Sequence, residues 1–393
     1  MKMRMKLVLL SIVIAHFSFA QNGHPTDSLP GPPLKKHSFH LLGGQNEKAR
    51  EGKLLLTPFF FPGYTPDIQY SVAGGAIISF STKPSDSTLP RSSTPLTVTY
   101  SSTHAFILST SMITFWLHDH LRVYAFIQYK NYMDAYFGIG YENAVNTSFP
   151  DSTNFNRSFF IFQLRPLWKL HKHLFAGINM DFNQNILWNI NPHMKHDPNY
   201  QEFGQYIVNT GIGGIVSYDS RDVAQNPYRG IYSTLIYTSY QKATGGNTQF
   251  QALDFDTRWY LPLSATKVRI LAINWRSRYD FGSTPFTSLI SLGTSQDLRG
   301  LRFGQFRDQY LNYLITEYRY KFYRNDKPTR FGFVVWTGMG AIGGSVGQAF
   351  FQQPLTDFGL GFRFEVQPRL NVRVDLGFSS THTATYVNFL ESY

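Results

Sequence analysis

The sequence predicts an all-β protein, a transmembrane antiparallel β-barrel of about sixteen strands. Three observations support this prediction. The first twenty residues resemble an export signal, aromatic residues make up 17% of the 393-residue chain while charged residues make up only 16%, and apolar and polar residues alternate along many short segments. Soluble domains contain about 25% charged residues. A barrel explains the alternation, because successive side chains of a strand can face lipid and water in turn.

The first twenty residues predict a signal peptide. Lys2, Arg4 and Lys6 precede an apolar run from Leu7 to Ala15, and the small residue Ala20 ends the segment. The alternative, an uncleaved anchor, is disfavoured because the apolar run is shorter than the ~20 residues of a spanning helix. The chain contains no cysteine, so neither a lipid attached through cysteine nor a disulfide framework is expected.

The charge of the chain is compatible with an envelope location. The formal net charge of +11 falls to +8 when the three cations of the signal are removed. A basic chain can indicate nucleic-acid binding, but export excludes nucleic acid as the ordinary partner. We expect contact with outer-membrane lipid and lipopolysaccharide, and with periplasmic or outer-membrane proteins. After the signal, no apolar run approaches eighteen residues, so no membrane-spanning helix is predicted.

The chain divides into a signal peptide (1–20), a polar periplasmic leader (21–55) and a barrel domain (56–393). Within the barrel domain, the first strand is expected after the proline-containing stretch "TPFFFPGYTPD" (57–67). The predicted strands lie near 70–82, 94–103, 105–117, 120–131, 134–141, 156–169, 173–187, 205–218, 231–241, 249–262, 267–281, 309–323, 330–343, 356–367, 370–379 and 382–393.

Alternation is clearest in the last third of the chain. Phe358, Leu360 and Phe362 occupy one face of a predicted strand, and Arg363 and Glu365 occupy the other. A soluble β-sandwich could show the same period, but it would turn its charges to bulk water and place fewer aromatics on the apolar face. The pattern therefore favours a barrel with lipid outside and charged side chains in the lumen.

Connection lengths predict the orientation. If both termini are periplasmic, the long connections follow odd strands and are external, whereas "LSAT" (263–266) and "QPR" (367–369) are short periplasmic turns. The long connections are 142–155, 188–204, 282–308 and 344–355. The basic stretch "SLGTSQDLRGLRFGQFRD" (291–308) then lies in the sixth external loop.

Four motifs carry a resemblance to a known family: "DLRGLRF" (297–303), "YDSRDVAQNPYRGIY" (218–232), "ITEYRY" (315–320) and "GLGFRFEVQPRLNVRVDLGF" (359–378). In their order and spacing, the chain from about Leu56 onward resembles the sixteen-stranded barrel of the bacterial outer-membrane assembly and translocation superfamily, the BamA/TamA-like surface-antigen barrels. The resemblance implies a role in assembly, insertion or translocation of outer-membrane proteins. The leader is too short for that family's periplasmic domains, so a periplasmic partner is expected to replace them.

The resemblance also implies an inward-folded sixth loop, whose motif is Leu298, Arg299 and Gly300. In the family the arginine pairs with acids of the inner wall, and the acid at the matching position of the next strand is Glu317. An arginine–carboxylate pair in a confined lumen is screened less than a surface pair, and glycine permits a close approach of the backbone or a positive φ. The alternative is a solvated arginine in an external loop.

Two departures from the family pattern concern this motif. Leu301 stands where an aromatic residue usually follows Arg-Gly, and the segment 331–343 contains no acid where the family has a second one. Glu365 or Asp375 is expected to replace that second acid.

The stretch 218–232 predicts a periplasmic turn stabilised by its own carboxylates. Such side chains can accept hydrogen bonds from backbone N–H groups and from the guanidinium. The alternative is a surface for docking another protein. The residues concerned are Asp219, Arg221, Asp222, Pro227 and Gly230.

No enzymatic activity, cofactor or metal is predicted. His118 with His120, and His171 with His173, lack a third ligand, and no nucleophile, phosphate-loop or zinc signature is present. The terminal aromatic Tyr393 resembles the last-strand signal that is read during barrel insertion. Two function classes remain open: a protein that assembles or translocates outer-membrane proteins through an openable seam, and a passive channel or structural component of an envelope complex with the sixth loop as plug.

Overall fold

The computed structural model describes residues 54–393, except 87, 88, 148, 150–152, 225, 267, 326 and 368. The expected signal peptide and all but the last two residues of the expected leader lie outside this range. In the described residues sixteen antiparallel strands form a closed barrel in which each strand pairs with its neighbours in sequence, and β1 closes against β16. The prediction of a sixteen-stranded antiparallel barrel is confirmed.

The strands are β1 (Leu55–Thr65), β2 (Gln69–Phe80), β3 (Ser92–Ser101), β4 (Phe106–Trp116), β5 (Leu121–Ala135), β6 (Asn154–His171), β7 (Leu174–Trp188), β8 (Tyr206–Asp219), β9 (Gly230–Tyr240), β10 (Gln249–Pro262), β11 (Arg269–Ser283), β12 (Tyr310–Arg324), β13 (Lys327–Gly343), β14 (Leu355–Gln367), β15 (Leu370–Phe378) and β16 (Thr383–Phe389). Four short helices lie in the longer connections: α1 (Tyr141–Asn146), α2 (Pro192–Lys195), α3 (Pro198–Phe203) and α4 (Gln348–Phe351). Among the described residues, none of the helices has the length and apolar character needed to cross a membrane.

Side chains alternate between the two faces of the wall. On β14, Phe358 is 61% exposed and Leu360 54%, whereas Asp357 and Arg363 of the opposite parity are buried. On β15, Asp375 is fully buried in the same way. The apolar set thus forms the outer surface of the barrel, and the charged set forms ion pairs inside it.

Two predicted strand positions near the start of the barrel are wrong. The stretch 57–67 forms most of β1, although Pro58 and Pro62 lack the N–H that a central strand requires; proline is tolerated where one side of the strand is weakly paired. The segment 134–141 is not a separate strand, because β5 runs on to Ala135 and Gly138 and Gly140 then adopt positive φ angles of 84° and 91°. The two errors cancel, so the predicted strand number is right.

The last predicted strand, 382–393, also ends earlier than expected. Strand β16 stops at Phe389, and Leu390 has a φ of +66°, which turns the backbone out of the sheet. Residues Glu391, Ser392 and Tyr393 are 8%, 4% and 6% exposed. They are therefore not the end of a lipid-facing strand.

The seam between β1 and β16 is the weakest pairing in the described barrel. Its register contains one residue pair, Tyr64 opposite Val387. Strand β1 pairs with β2 along its whole length, from Leu55 opposite Ser79 to Thr65 opposite Gln69. Across the seam, the rings of Phe61 and Phe389 lie 4.3 Å apart. Side-chain packing therefore replaces most of the backbone ladder at this position.

The long connections, which the sequence predicts to be external, pack on one another. Residues Tyr136, Phe155, Leu187, Met194, Ile207 and Phe286 form one buried apolar cluster. Asn199 of α3 fastens this layer to the sixth loop, because its side-chain amide donates to the carbonyl of Thr284 at 2.8 Å and its amide oxygen accepts from the N–H of Phe286 at 2.8 Å. The sixth loop is thus held from above by its neighbours.

Replacing Leu360 by arginine is expected to destabilise the barrel by about 2–4 kcal/mol, because the position is lipid-facing and near the middle of its strand. The free energy of unfolding would be measured by urea titration in lipid vesicles. Gln352→Arg, which adds the same charge at an exposed site outside the strands, should leave the free energy of unfolding almost unchanged. An equal effect of the two substitutions would contradict the assignment of the outer face.

Candidate functional site

The connection between β11 and β12, which is the predicted sixth external loop, is held by its own backbone hydrogen bonds. Ser291 pairs with Arg307, and the N–H of Leu292 donates to the carbonyl of Phe306 at 3.0 Å. The carboxylate of Asp297 accepts from the backbone N–H groups of Gly293 and Thr294 at 2.8 Å each. Burial nevertheless raises the pKa of the Asp297 carboxyl. These contacts present the tip of the loop, residues 298–300, to the barrel wall.

Arg299 is fully buried between two carboxylates of the wall. Its Nη2 donates to Oε2 of Glu317 on β12 at 2.6 Å, and its Nη1 donates to Oδ2 of Asp375 on β15 at 2.9 Å. Its guanidinium carbon lies 3.5 Å from the ring centroid of Trp336 on β13. Charge-assisted hydrogen bonds and a cation–π contact are strongest where water is excluded. Two strands, β13 and β14, lie between β12 and β15. The loop tip therefore packs against the lumen side of this part of the wall.

Glycines allow the loop backbone to contact β15 directly. A Cβ atom on Gly300 would lie 2.4 Å from the carbonyl oxygen of Phe378, and one on Gly377 would lie 2.6 Å from the carbonyl carbon of Arg299. Gly300 is not among the residues with positive φ. Its N–H donates to Oδ2 of Asp357 on β14 at 3.1 Å. Close approach, not a left-handed backbone, is therefore the reason for glycine at this position.

The pairs around Arg299 belong to a larger network of arginines and carboxylates. Asp375 also accepts from Arg363 at 2.5 Å and from Arg373 at 2.8 Å, and Glu317 also accepts from Arg319 at 2.7 Å. Each carboxylate thus pairs with more than one guanidinium. Removing one arginine leaves the other ion pairs of its carboxylate in place.

Residues 390–393, which follow β16, join the same network. Glu391 pairs with Nε of Arg363 at 2.8 Å, and the hydroxyl of Ser392 lies 3.2 Å from Oε2 of Glu317. The carbonyl of Tyr393 accepts from Arg319 at 3.0 Å. A segment continuous with the seam strand β16 therefore shares a carboxylate with the sixth loop.

The other predicted residues of the loop and the wall are placed as follows. Leu298 is fully buried in an apolar cluster with Leu301, Trp336 and other lumen residues. Glu365 does not contact Arg299; it pairs with Lys321 of β12 and accepts from the N–H of Arg369 at 2.9 Å. Of the two acids that sequence analysis left open as the second partner, Asp375 occupies that position.

The turn between β8 and β9 (220–229) is stabilised by its own side chains. Arg221 binds Asp219 through Nε at 2.9 Å and Nη2 at 2.8 Å, and Asp222 accepts from the N–H of Tyr228 at 2.9 Å. Pro227 is buried. Gly230 has a φ of +109°, and a Cβ there would lie 2.4 Å from the carbonyl oxygen of Ser220.

This turn also crosses to a distant part of the barrel, which the sequence did not indicate. Asp222 pairs with Arg369 of the β14–β15 turn at 2.9 Å, and the guanidinium of Arg369 lies 3.3 Å from the ring centroid of Tyr228. Arg369 also donates to the carbonyl of Asn226 at 2.7 Å. The two turns are six strands apart in the barrel order. The turn therefore bridges the mouth of the barrel at the end where the predicted periplasmic turns lie.

Sequence reasoning missed several residues that hold the sixth loop. Trp336 and Asp357 lie on inward-facing positions of β13 and β14, and Glu391 lies beyond the last strand. Strand parity could have assigned the first two to the lumen. No local pattern indicates that Glu391 folds back inside.

The histidine pairs do not assemble a metal site in the part of the chain that the structure describes. Among those residues, no group of three or more potential metal ligands is present. His118 lies 3.5 Å from Asp86, and His120 contacts the carbonyl of Leu117 at 2.9 Å. Both contacts are those of turn residues.

A family model for the Omp85 superfamily domain matches residues 96–388. The chain belongs to the Omp85 superfamily. It is therefore an outer-membrane β-barrel, and its family serves in outer-membrane protein assembly or secretion. The predicted resemblance to the assembly and translocation superfamily is confirmed, whereas no curated protein matches the sequence significantly.

Solved structures similar to this Omp85 barrel share its fold at low sequence identity. BamA from Haemophilus ducreyi lacking POTRA domains 1–3 has a TM-score of 0.60 at 11% identity, over 86% of this chain and 70% of that one. CdiB from Acinetobacter baumannii has a TM-score of 0.54 at 12% identity, over 86% and 60%. CdiB from Escherichia coli has a TM-score of 0.54 at 9% identity, over 85% and 62%. This chain spans less than two thirds of the CdiB chains.

Arg299 and Glu317 are expected to be energetically coupled, and neutral substitutions test this best. A simple exchange of the two charges would place a carboxylate at position 299 against Asp375 and a guanidinium at position 317 against Arg319. We therefore expect the exchange to rescue only part of the loss of stability that either single charge reversal causes. In a cycle of Arg299→Gln, Glu317→Gln and the double variant, the coupling energy should fall between about 0.5 and 3 kcal/mol. It would be obtained from urea unfolding in vesicles, and strict additivity would refute the pairing.

Gly377→Ala is expected to expel the loop tip from the wall, because the new methyl group would overlap the backbone of Arg299. Trypsin added to the folded protein should then cleave after Arg299, which is inaccessible in the native chain. Gly214→Ala is the matched control, since a Cβ at that strand position has no neighbour closer than 4.0 Å. Equal protection of both variants would show that the close approach does not hold the loop.

Proposed function

We propose that this barrel assembles, inserts or translocates other outer-membrane proteins, and that it does so by opening the seam between β1 and β16. The observation that carries the proposal is the single residue pair of that seam, Tyr64 opposite Val387. A backbone hydrogen bond contributes a net stabilisation of about 0.5–1.5 kcal/mol. Opening this seam therefore breaks far fewer favourable contacts than opening any fully paired neighbour.

An opened seam would present two strand edges to a client. Unpaired N–H and C=O groups of an edge pair readily with another extended chain. In β1, Pro58 and Pro62 remove two backbone donors. A client strand that pairs with either edge could then grow into the membrane in register with the existing wall.

The network around the sixth loop supports control of this opening. Residues 390–393 continue from β16 and contact Glu317, which also holds Arg299. Movement of β16 at the seam would pull on the acid that anchors the loop. We propose that seam opening and loop release are linked in this way.

The proposal includes protein partners but no enzymatic chemistry. A periplasmic partner would deliver clients to the barrel mouth, where the turn 220–229 offers the exposed side chain of Arg229. In the described lumen the charged side chains around the loop are engaged in arginine–carboxylate pairs. These pairs suit a structural network and not proton transfer to a substrate.

A second candidate function is that of a passive channel or a structural membrane component. The observation that favours it is a polar cavity of about 300 Å³ in the lumen. It is lined by charged residues of both signs from β6, β7, β10 and β11, including Arg165, Asp181, Asp254 and Arg278. A water-filled path of this composition could pass small ions.

A disulfide across the seam tests the first candidate. The chain has no cysteine, and Tyr64→Cys with Val387→Cys joins the register partners of the seam. The crosslinked protein should fail to support normal levels of other barrel proteins in the outer membrane, and a reductant should restore them. The matched control, Tyr64→Cys with Tyr70→Cys, crosslinks the fully paired β1–β2 ladder and should remain active.

Full activity of the seam-crosslinked protein would refute opening at this position. Conductance measurements in planar bilayers distinguish the passive channel from the assembly function. A steady pore that is unchanged by the seam crosslink, without any effect of depletion on other barrel proteins, would favour the passive channel.

A further inference from the structure

A cluster of cations lies at the periplasmic end of three adjacent strands. Arg269 begins β11, Arg324 ends β12, and Lys327 and Arg330 lie at the start of β13. All four are exposed. Arg324 and Lys327 are direct cross-strand partners, and like charges in that position repel each other. Asp326 lies between them in the sequence and offsets one of the two charges, so a net positive charge remains.

In the described residues none of these four cations has a carboxylate within ion-pair distance. Arg269 instead lies over the ring of Tyr320, with its guanidinium carbon 5.8 Å from the ring centroid. The segment 324–330 contains one acid, Asp326, and retains a net charge of +2 when that acid is counted.

Two arginines at this end of the barrel are paired within the protein. Arg122 pairs with Asp119 at 2.6 Å, and Arg221 pairs with Asp219 at 2.8 Å. Arg269, Arg324 and Lys327 have no such ion pair among the described residues, so their charges are available to an anion outside the chain.

Aromatic side chains place this cluster at the membrane surface. The rings of Tyr320, Phe322 and Phe333 lie 5.3–5.9 Å from one another. Phe331 packs with Phe364 at 5.2 Å and is 45% exposed on the outer face. Aromatic belts lie at the level of the lipid headgroups, so the cations just beyond this belt are at the depth of the phosphates.

We propose that the periplasmic ends of β11, β12 and β13 bind the headgroup of an anionic phospholipid. Arg269, Arg324 and Lys327 have the strand parity of the outward aromatic residues and bind the phosphate, and the aromatic belt packs against the acyl chains. Arg330 has the opposite parity to the outward-facing Phe331 and adds positive charge without facing the lipid. Basic residues at a membrane surface attract anionic lipids in this way. The proposal concerns the lipid next to the wall and holds whether or not the β1–β16 seam opens.

The site is tested by lipid retention on the purified, full-length barrel. The protein would be placed in nanodiscs of phosphatidylcholine doped with phosphatidylglycerol of the same acyl chains, and the bound lipid would be identified by native mass spectrometry after gentle release. The native protein should retain phosphatidylglycerol in preference to phosphatidylcholine. Arg324→Gln with Lys327→Gln should weaken that preference by about tenfold.

The matched control removes two exposed cations from the external connections, Lys195→Gln with Lys242→Gln. It changes the net charge equally and should retain phosphatidylglycerol as the native protein does. The four substituted side chains of the two variants are exposed, so both variants are expected to fold. Folding would be checked by the mobility of the unheated protein on a gel. Equal lipid retention by the two variants would overturn the proposal.

Competition with inorganic phosphate distinguishes a lipid site from a site for the free ion. Millimolar phosphate should leave phosphatidylglycerol bound, because the aromatic belt contributes contacts that the free ion lacks. Displacement of the lipid by phosphate would overturn the assignment to a phospholipid. The seam-crosslinked protein should bind lipid normally, which separates failure of this site from failure of the assembly role.

Discussion

The buried guanidinium of Arg299 constrains this whole side of the barrel. A charged group withdrawn from water is strongly unfavourable unless carboxylates and hydrogen bonds compensate it, and breaking a buried pair typically costs about 3–5 kcal/mol. Glu317 on β12 and Asp375 on β15 must therefore both point inward at the same height. Gly300 and Gly377 must be small enough for the loop to reach them. Strand register, strand parity and the two glycines are therefore all needed for the ion pairs of Arg299.

The same network connects two features that are far apart in sequence. The sixth loop contacts the network through Arg299. The residues that follow the seam strand β16 contact it through Glu391 and Ser392. The seam has little backbone pairing of its own. Its closed state is consequently supported by side chains inside the lumen as much as by the ladder, so the loop and the seam are mechanically linked in our proposal. At the opposite mouth, the Asp222–Arg369 pair holds the β8–β9 turn across the opening.

Strand prediction succeeded where the period-two pattern was strong and failed where backbone-altering residues interrupted it. Pro58 and Pro62 argued against a strand that nevertheless forms, because the seam tolerates missing donors. Gly138 and Gly140 ended β5 although the surrounding residues alternate. In the site, the Arg299–Glu317 pairing was expected from family resemblance, and the second acid was left open between two candidates. Trp336 was not predicted, because the family resemblance implies only acids as partners of the arginine. A buried guanidinium can also be stabilised by an aromatic ring.

Composition and alternation were sufficient by themselves to predict a transmembrane barrel with a charged interior, because these properties depend on local spacing along each strand. The strand number was right only because two errors in strand position cancelled. Which acid meets Arg299 was decided only by the tertiary structure. Glu365 and Asp375 both face inward, but strand tilt and stagger set the height of each side chain in a closed barrel. Glu365 consequently meets Lys321, while Asp375 meets the loop. The inward turn after Phe389 was likewise decided by the lumen, since its partners lie on strands distant in sequence.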